Sequence, residues 1–123
     1  SDDSLCQVAE ICKGFDKVFI NAGNTQYRNK GSVGLLEKAL ALPGGGLSGG
    51  ALFERTLSMV RLLSGLGVPV MATGGLSSVD HVKAVMGQGA ALCGMATGLV
   101  FNPYGIVEIN TAIAKYPGIS NLK

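Results

Sequence analysis

The chain contains no tryptophan, one histidine and three cysteines among its 123 residues. The single histidine, His81, falls on a predicted helix and reads as a surface residue, which leaves no obvious catalytic imidazole. Cys6, Cys12 and Cys93 show no metal-ligand spacing, so no metal site is expected. Their odd number and scatter fit reduced thiols in an intracellular protein, cytoplasmic or mitochondrial, with Cys6 and Cys12 partly exposed. Charge is sparse: 15% of residues, with a net +2. That balance, with no basic cluster and no aromatic ladder, argues against a nucleic-acid surface. No stretch approaches the roughly 18 apolar residues of a membrane span, and the first residues do not read as a signal peptide.

What is present is apolar. Hydrophobic residues make up 47% of the chain and the mean hydropathy is +0.37. These values fit a chain buried on many sides and argue against disorder. The length suits one modest domain. The 19 glycines cluster between apolar segments, as at Gly44–Gly46, Gly49–Gly50, Gly74–Gly75 and Gly87–Gly89, where the loops of an α/β fold belong.

The most informative stretch is Val68–Gly75, VPVMATGG, followed by LSSVD. The apolar run is too short for a helix and is bounded by turn residues, so a buried strand is predicted. Pro69 near its start tolerates the missing N–H. Gly74 and Gly75 permit a tight turn and close approach of a ligand to the main chain. Ser77 with Asp80 resembles a capping box and predicts a helix over Ser77–Gly87, with Val79, Val82, Val85 and Met86 inward. The free N–H groups at such a helix start attract an anion, phosphate above all.

Taken in order, the chain predicts a helix over Ser4–Lys13 with Gly14 as its C-cap, then a strand at Lys17–Asn21. Ala22–Arg28 follows as a polar loop at a strand's C-terminal end, a frequent seat of function. Asn29–Gly50 holds no long regular element; Leu35–Leu42 allows one or two helical turns, and Pro43–Gly50 reads as loop. Ala51–Leu66 is the strongest helix, with Leu52, Leu57, Val60, Leu63 and Leu66 at helical intervals. Ala90–Gly94 is a short strand and Met95–Val100 a turn or short helix. The last helix spans Tyr104–Tyr116 after Pro103 and is stopped by Pro117 and Gly118. Alternation of this kind implies βα units around a parallel sheet. Three strands neither close a barrel nor cover their own edges, so the chain reads as one partial domain, 1–123, completed by a missing segment, a complementary chain or another copy.

GGGLSGGALF, VPVMATGGLSS and GAALCGMATGLVFN together resemble the C-terminal half of the dihydroorotate dehydrogenase family, over roughly residues 17–116. The resemblance implies an α/β fold: half of an FMN-dependent (β/α)8 TIM barrel. It implies FMN-dependent oxidation of dihydroorotate or a related pyrimidine. By the same resemblance, Asn24 and Thr25 contact the substrate, and Gly23 lies beside the flavin. Ser48 and Gly49 lie against FMN. Thr73, Gly74 and Gly75 approach its phosphate through backbone N–H groups, and Ala96 and Thr97 supply further amides and a hydroxyl. The family's Ser or Cys base and its flavin-contacting lysine have no counterpart in the chain, so no catalytic residue is expected in it. Within the family, Asn21 and Gly23 resemble the soluble class, whereas Asn24-Thr25 and the GGLSG loop resemble the membrane-associated class. Two other readings stay open: a non-catalytic half-barrel, and a related flavin barrel acting on another pyrimidine.

Overall fold

The computed structural model describes residues 1–33 and 41–115. The chain opens with α1 (Asp2–Cys12), β1 (Ile20–Ala22), β2 (Gln26–Asn29) and a single 3-10 turn at Lys30–Val33. Next come β3 (Gly44–Leu47), a second 3-10 turn at Gly50–Leu52, α2 (Phe53–Gly65) and β4 (Val70–Ala72). It ends with α3 (Val79–Gly87), β5 (Leu92–Cys93), α4 (Thr97–Phe101) and α5 (Gly105–Ala114).

The expected α/β alternation is present. β4 sits between β1 and β5, parallel to both. Ile20 pairs with Val70, Ala22 with Ala72, and Ala72 with Cys93. Burial alternates along the strands: Ala22, Val70 and Ala72 are buried, whereas Asn21 is exposed and Met71 half-buried. Val70 and Ala72 are essentially inaccessible, and both pack into a core with Val60 and Leu63 of α2 and Val82 and Val85 of α3. On α2, Thr56, Val60 and Leu63 are buried at a helical spacing. The apolar stripe thus faces the sheet and α3 together.

Several boundaries move for identifiable reasons. α1 begins at Asp2 because the Ser1 side chain accepts the N–H of Ser4. It ends on Lys13 in right-handed geometry, so Gly14 is no left-handed cap. The helix after the glycine turn is capped by Ser78, whose hydroxyl accepts the N–H of His81, and not by Ser77. His81 is half-buried, with its ring stacked on Phe53 at 4.0 Å between centroids, contrary to its reading as a surface residue.

The larger correction concerns Ala22–Arg28 and Pro43–Gly50, both read as loop. Gln26–Asn29 and Gly44–Leu47 pair antiparallel, Gln26 opposite Leu47 and Asn29 opposite Gly44. A GGGL strand carries no β-branched signal, and its pairing is decided by the partner strand. Gly44 is required there, since a Cβ would stand 2.4 Å from the carbonyl of Arg28 and 2.7 Å from the Tyr27 hydroxyl. The helical turns expected within Leu35–Leu42 fall mostly outside the described residues, as do Tyr116, Pro117 and Gly118.

The sheet is open at both sides among the described residues. Large apolar side chains are exposed on the approach to β1, at Ile11, Phe15 and Phe19, and from β5 onward, at Leu92, Val100, Phe101 and Tyr104. The thiols of Cys6, Cys12 and Cys93 are free and half-buried.

Candidate functional site

The C-terminal tips of β1, β4 and β5 end in glycine-containing turns, and these turns face one cleft of about 330 Å³. It is lined by Asn21 on β1 and Asn24 after it, Ser48, Gly49 and Leu52 between β3 and α2, Met71 on β4 with Thr73–Leu76 after it, and Gly94–Thr97 after β5. The turns expected to converge, Gly74–Gly75 and Ala96–Thr97, therefore share one space.

The turn after β4 is held from beneath. Thr56 of α2 is 1% exposed, and its one hydroxyl proton is shared between the carbonyls of Thr73 at 2.9 Å and Gly74 at 2.8 Å. The Thr73 hydroxyl donates toward Asn21 Oδ1 at 2.7 Å and toward the carbonyl of Gly23, tying the β4 tip to the β1 tip. Gly74 and Gly75 take φ of 92° and 81°, a region that L side chains rarely adopt. A Cβ on Gly75 would lie 2.5 Å from the backbone nitrogen of Phe53, so the turn rests directly on the start of α2.

The turn after β5 is built differently. Gly94 lets it pass over Met71 and Thr73, where a Cβ would meet side-chain carbons at 2.8 Å. Gly98 packs on the backbone of Leu76 and Ser77. Ala96 caps α4 without a side-chain hydrogen bond. Above it, Gly49 at φ 91° brings the loop after β3 toward Thr97.

None of the N–H groups of Gly74, Gly75, Ala96 or Thr97 finds a backbone acceptor among the described residues. The N–H of Thr73 does, bonding the Ala22 carbonyl at 3.0 Å, so Thr73 contributes to the wall and not as an amide donor. No charged side chain lines the cleft. Its polar groups are amides, carboxamides and hydroxyls, a donor set that suits a phosphate ester and a hydroxylated chain.

Two expected residues lie elsewhere. Gly23 sits against the Thr73 carbonyl, where a Cβ would overlap it, and Thr25 packs against Gly46. Both line a second cavity of about 310 Å³, with Arg55, Thr56 and Met59. Asn24 borders both spaces. Lining residues outside the expected set are Asn21, Leu52, Met71, Leu76, Gly94 and Met95. Asn21 had a usable signal, being a polar residue at the C-terminal end of an apolar strand. Among the described residues no His, Cys, Asp and Glu group forms a metal cluster, and no helix is long and apolar enough to cross a membrane.

The fold defines a piece of a (β/α) barrel, with a cleft at the C-terminal tips of its strands. The chain belongs to the dihydroorotate dehydrogenase family, whose profile matches residues 3–116. It is similar to the dihydroorotate dehydrogenase (quinone) of Chloroflexus aurantiacus, at 35% identity over 119 residues, covering 92% of this chain and 32% of that protein. The corresponding protein of Azotobacter vinelandii is 37% identical over 124 residues, covering 96% and 34%. Among solved structures, DHODH of Eimeria tenella in complex with ferulenol matches with a TM-score of 0.77 at 21% identity, covering 98% of this chain and 33% of that one. The chain thus spans about a third of the length of the curated relatives it matches. The three parallel strands and their helices are part of a TIM barrel.

Proposed function

We propose that this chain supplies the phosphate cradle and one wall of the substrate pocket in an FMN-dependent enzyme that oxidises dihydroorotate to orotate. The observation that carries the reading is the pair of turns, Gly74–Gly75 and Ala96–Thr97, whose amide donors border one neutral cleft. Such amides suit a dianion without requiring a lysine or arginine, because oriented N–H groups carry fixed partial positive charge. Bound FMN would supply the hydride acceptor for oxidation of the pyrimidine ring. The chain's own work is to hold and orient. Gly74, Gly75, Ala96 and the Thr97 amide and hydroxyl hold the phosphate. Ser48 and Gly49 close over the ligand from the loop after β3. Asn24, which borders both cavities, holds the substrate with its carboxamide, and Thr25 supports that loop from the second cavity.

The proton-abstracting base lies on a segment outside this chain, in the remaining part of the barrel. The exposed apolar residues at both open sides of the sheet support a complementary segment or chain packing there.

The test is purification of the complete gene product and measurement of flavin content and dihydroorotate-dependent bleaching. One FMN per chain and bleaching by dihydroorotate are expected. A folded protein without flavin absorbance overturns the reading in favour of a non-catalytic half-barrel. A flavoprotein bleached only by another reduced pyrimidine corrects the substrate.

A further inference from the structure

Thr56 is the one buried polar residue among the described residues, and it lies on α2, away from the cleft lining. Its hydroxyl meets two consecutive carbonyls, those of Thr73 and Gly74. A trans peptide unit is planar, with its C=O and N–H pointing in opposite directions. Fixing the Thr73 carbonyl toward α2 therefore turns the Gly74 N–H away from α2. Fixing the Gly74 carbonyl does the same for the Gly75 N–H. Both glycines border the cleft, and neither amide has a backbone acceptor among the described residues. The positive φ values of Gly74 and Gly75 leave the turn free to adopt other conformations, since glycine populates both signs of φ readily. Something must select one, and the Thr56 hydroxyl is placed to do so.

We infer that Thr56 is a positioning residue: from beneath the turn it aims two successive backbone amides into the cleft, setting the affinity for a phosphate monoester. This rests on the flavin reading for the identity of the ligand, and on the carbonyl geometry alone for the aiming of the amides.

The experiment compares the complete gene product with its Thr56→Val and Thr56→Ser variants. Val keeps the shape and deletes the hydroxyl; Ser keeps the hydroxyl. Each is titrated with FMN and with riboflavin, which lacks the phosphate. Thr56→Val is expected to lose roughly tenfold or more in FMN affinity, as befits one or two weakened charge-assisted hydrogen bonds, with riboflavin affinity unchanged. Thr56→Ser is expected to restore FMN binding to within about threefold of the parent, since the donor is back. An unchanged FMN-to-riboflavin ratio in Thr56→Val overturns the inference, and so does an equal loss for both ligands, which marks a merely structural role. If the parent binds neither flavin, the flavin reading fails by itself. The aiming is then decided by titrating inorganic phosphate and following the Gly74 and Gly75 amide resonances. Shifts in the parent and Thr56→Ser but not in Thr56→Val support it; shifts in none, or equal shifts in all three, overturn it.

Discussion

The turns after β4 and β5 occupy equivalent places at the tips of neighbouring parallel strands, yet they are stabilised in opposite ways. The first is fastened by side-chain hydrogen bonds from Thr56 and Thr73 and lies on the backbone of Phe53. The second has no side-chain cap and leans on the first through Gly94 and Gly98. The difference sets an order of dependence. The second turn can be disturbed alone, whereas damage to the first removes the surface on which the second rests.

Gly75→Ala is the strongest way to test that order. It combines an unfavourable φ of 81° with a Cβ 2.5 Å from the Phe53 nitrogen. A loss of roughly 3 kcal/mol or more is expected from strain plus overpacking, read by denaturant unfolding. Ligand binding at both turns should go with it. A loss below about 1 kcal/mol, within the range of an ordinary surface change, would break the comparison.

Gly98→Val addresses the second turn. A Cβ there already stands 3.1 Å from the Ser77 Cα and 3.2 Å from the Leu76 carbonyl. The expected cost is about 2 kcal/mol, and amide exchange at Gly74 and Gly75 should stay as in the parent. Altered exchange at the first turn would mean the two support each other equally.

Ser78→Ala weakens α3, which follows the first turn, by about 1 kcal/mol because the His81 N–H loses its cap. Ser77→Ala should cost only a few tenths, since the Ser77 hydroxyl stands 3.4 Å from His81 Nδ1, beyond a good O–H···N distance. Thermal melting of the two variants distinguishes them, and the reverse ranking would return the cap to Ser77.

The smallest expected effect is on the β5 side. Burial pushes the Cys93 thiol up from its ordinary 9.0 to about 11. Between those values the unfolded chain sheds this proton while the folded chain keeps it. Stability therefore holds below pH 9.0 and declines as pH rises toward about 11. Half-exposure keeps that decline modest. Cys93→Ala should flatten this part of the pH–stability curve, and a slope unchanged by the substitution would assign it to other groups.

Much of this architecture follows from local pattern. The helical intervals of α2 and α3, the apolar run at Val68–Ala72 and the glycine pair behind it specify their elements because burial period and turn chemistry act over a few residues. The motifs also led to eight of the ten residues expected in the site that do line the cleft: Asn24, Ser48, Gly49, Thr73, Gly74, Gly75, Ala96 and Thr97. Only the tertiary structure decided the rest. The Gly44–Leu47 strand exists because Gln26–Asn29 lies beside it, and no residue within GGGL carries that information. Gly23 and Thr25 follow the β1 tip closely in sequence, but the fold places them along the second cavity and not the cleft. Thr56 looks like any polar helix residue until α2 docks and places its hydroxyl 17 and 18 residues before the carbonyls it binds. Short-range propensity fixes which elements form; the direction in which each peptide group points depends on contacts between segments far apart in the chain.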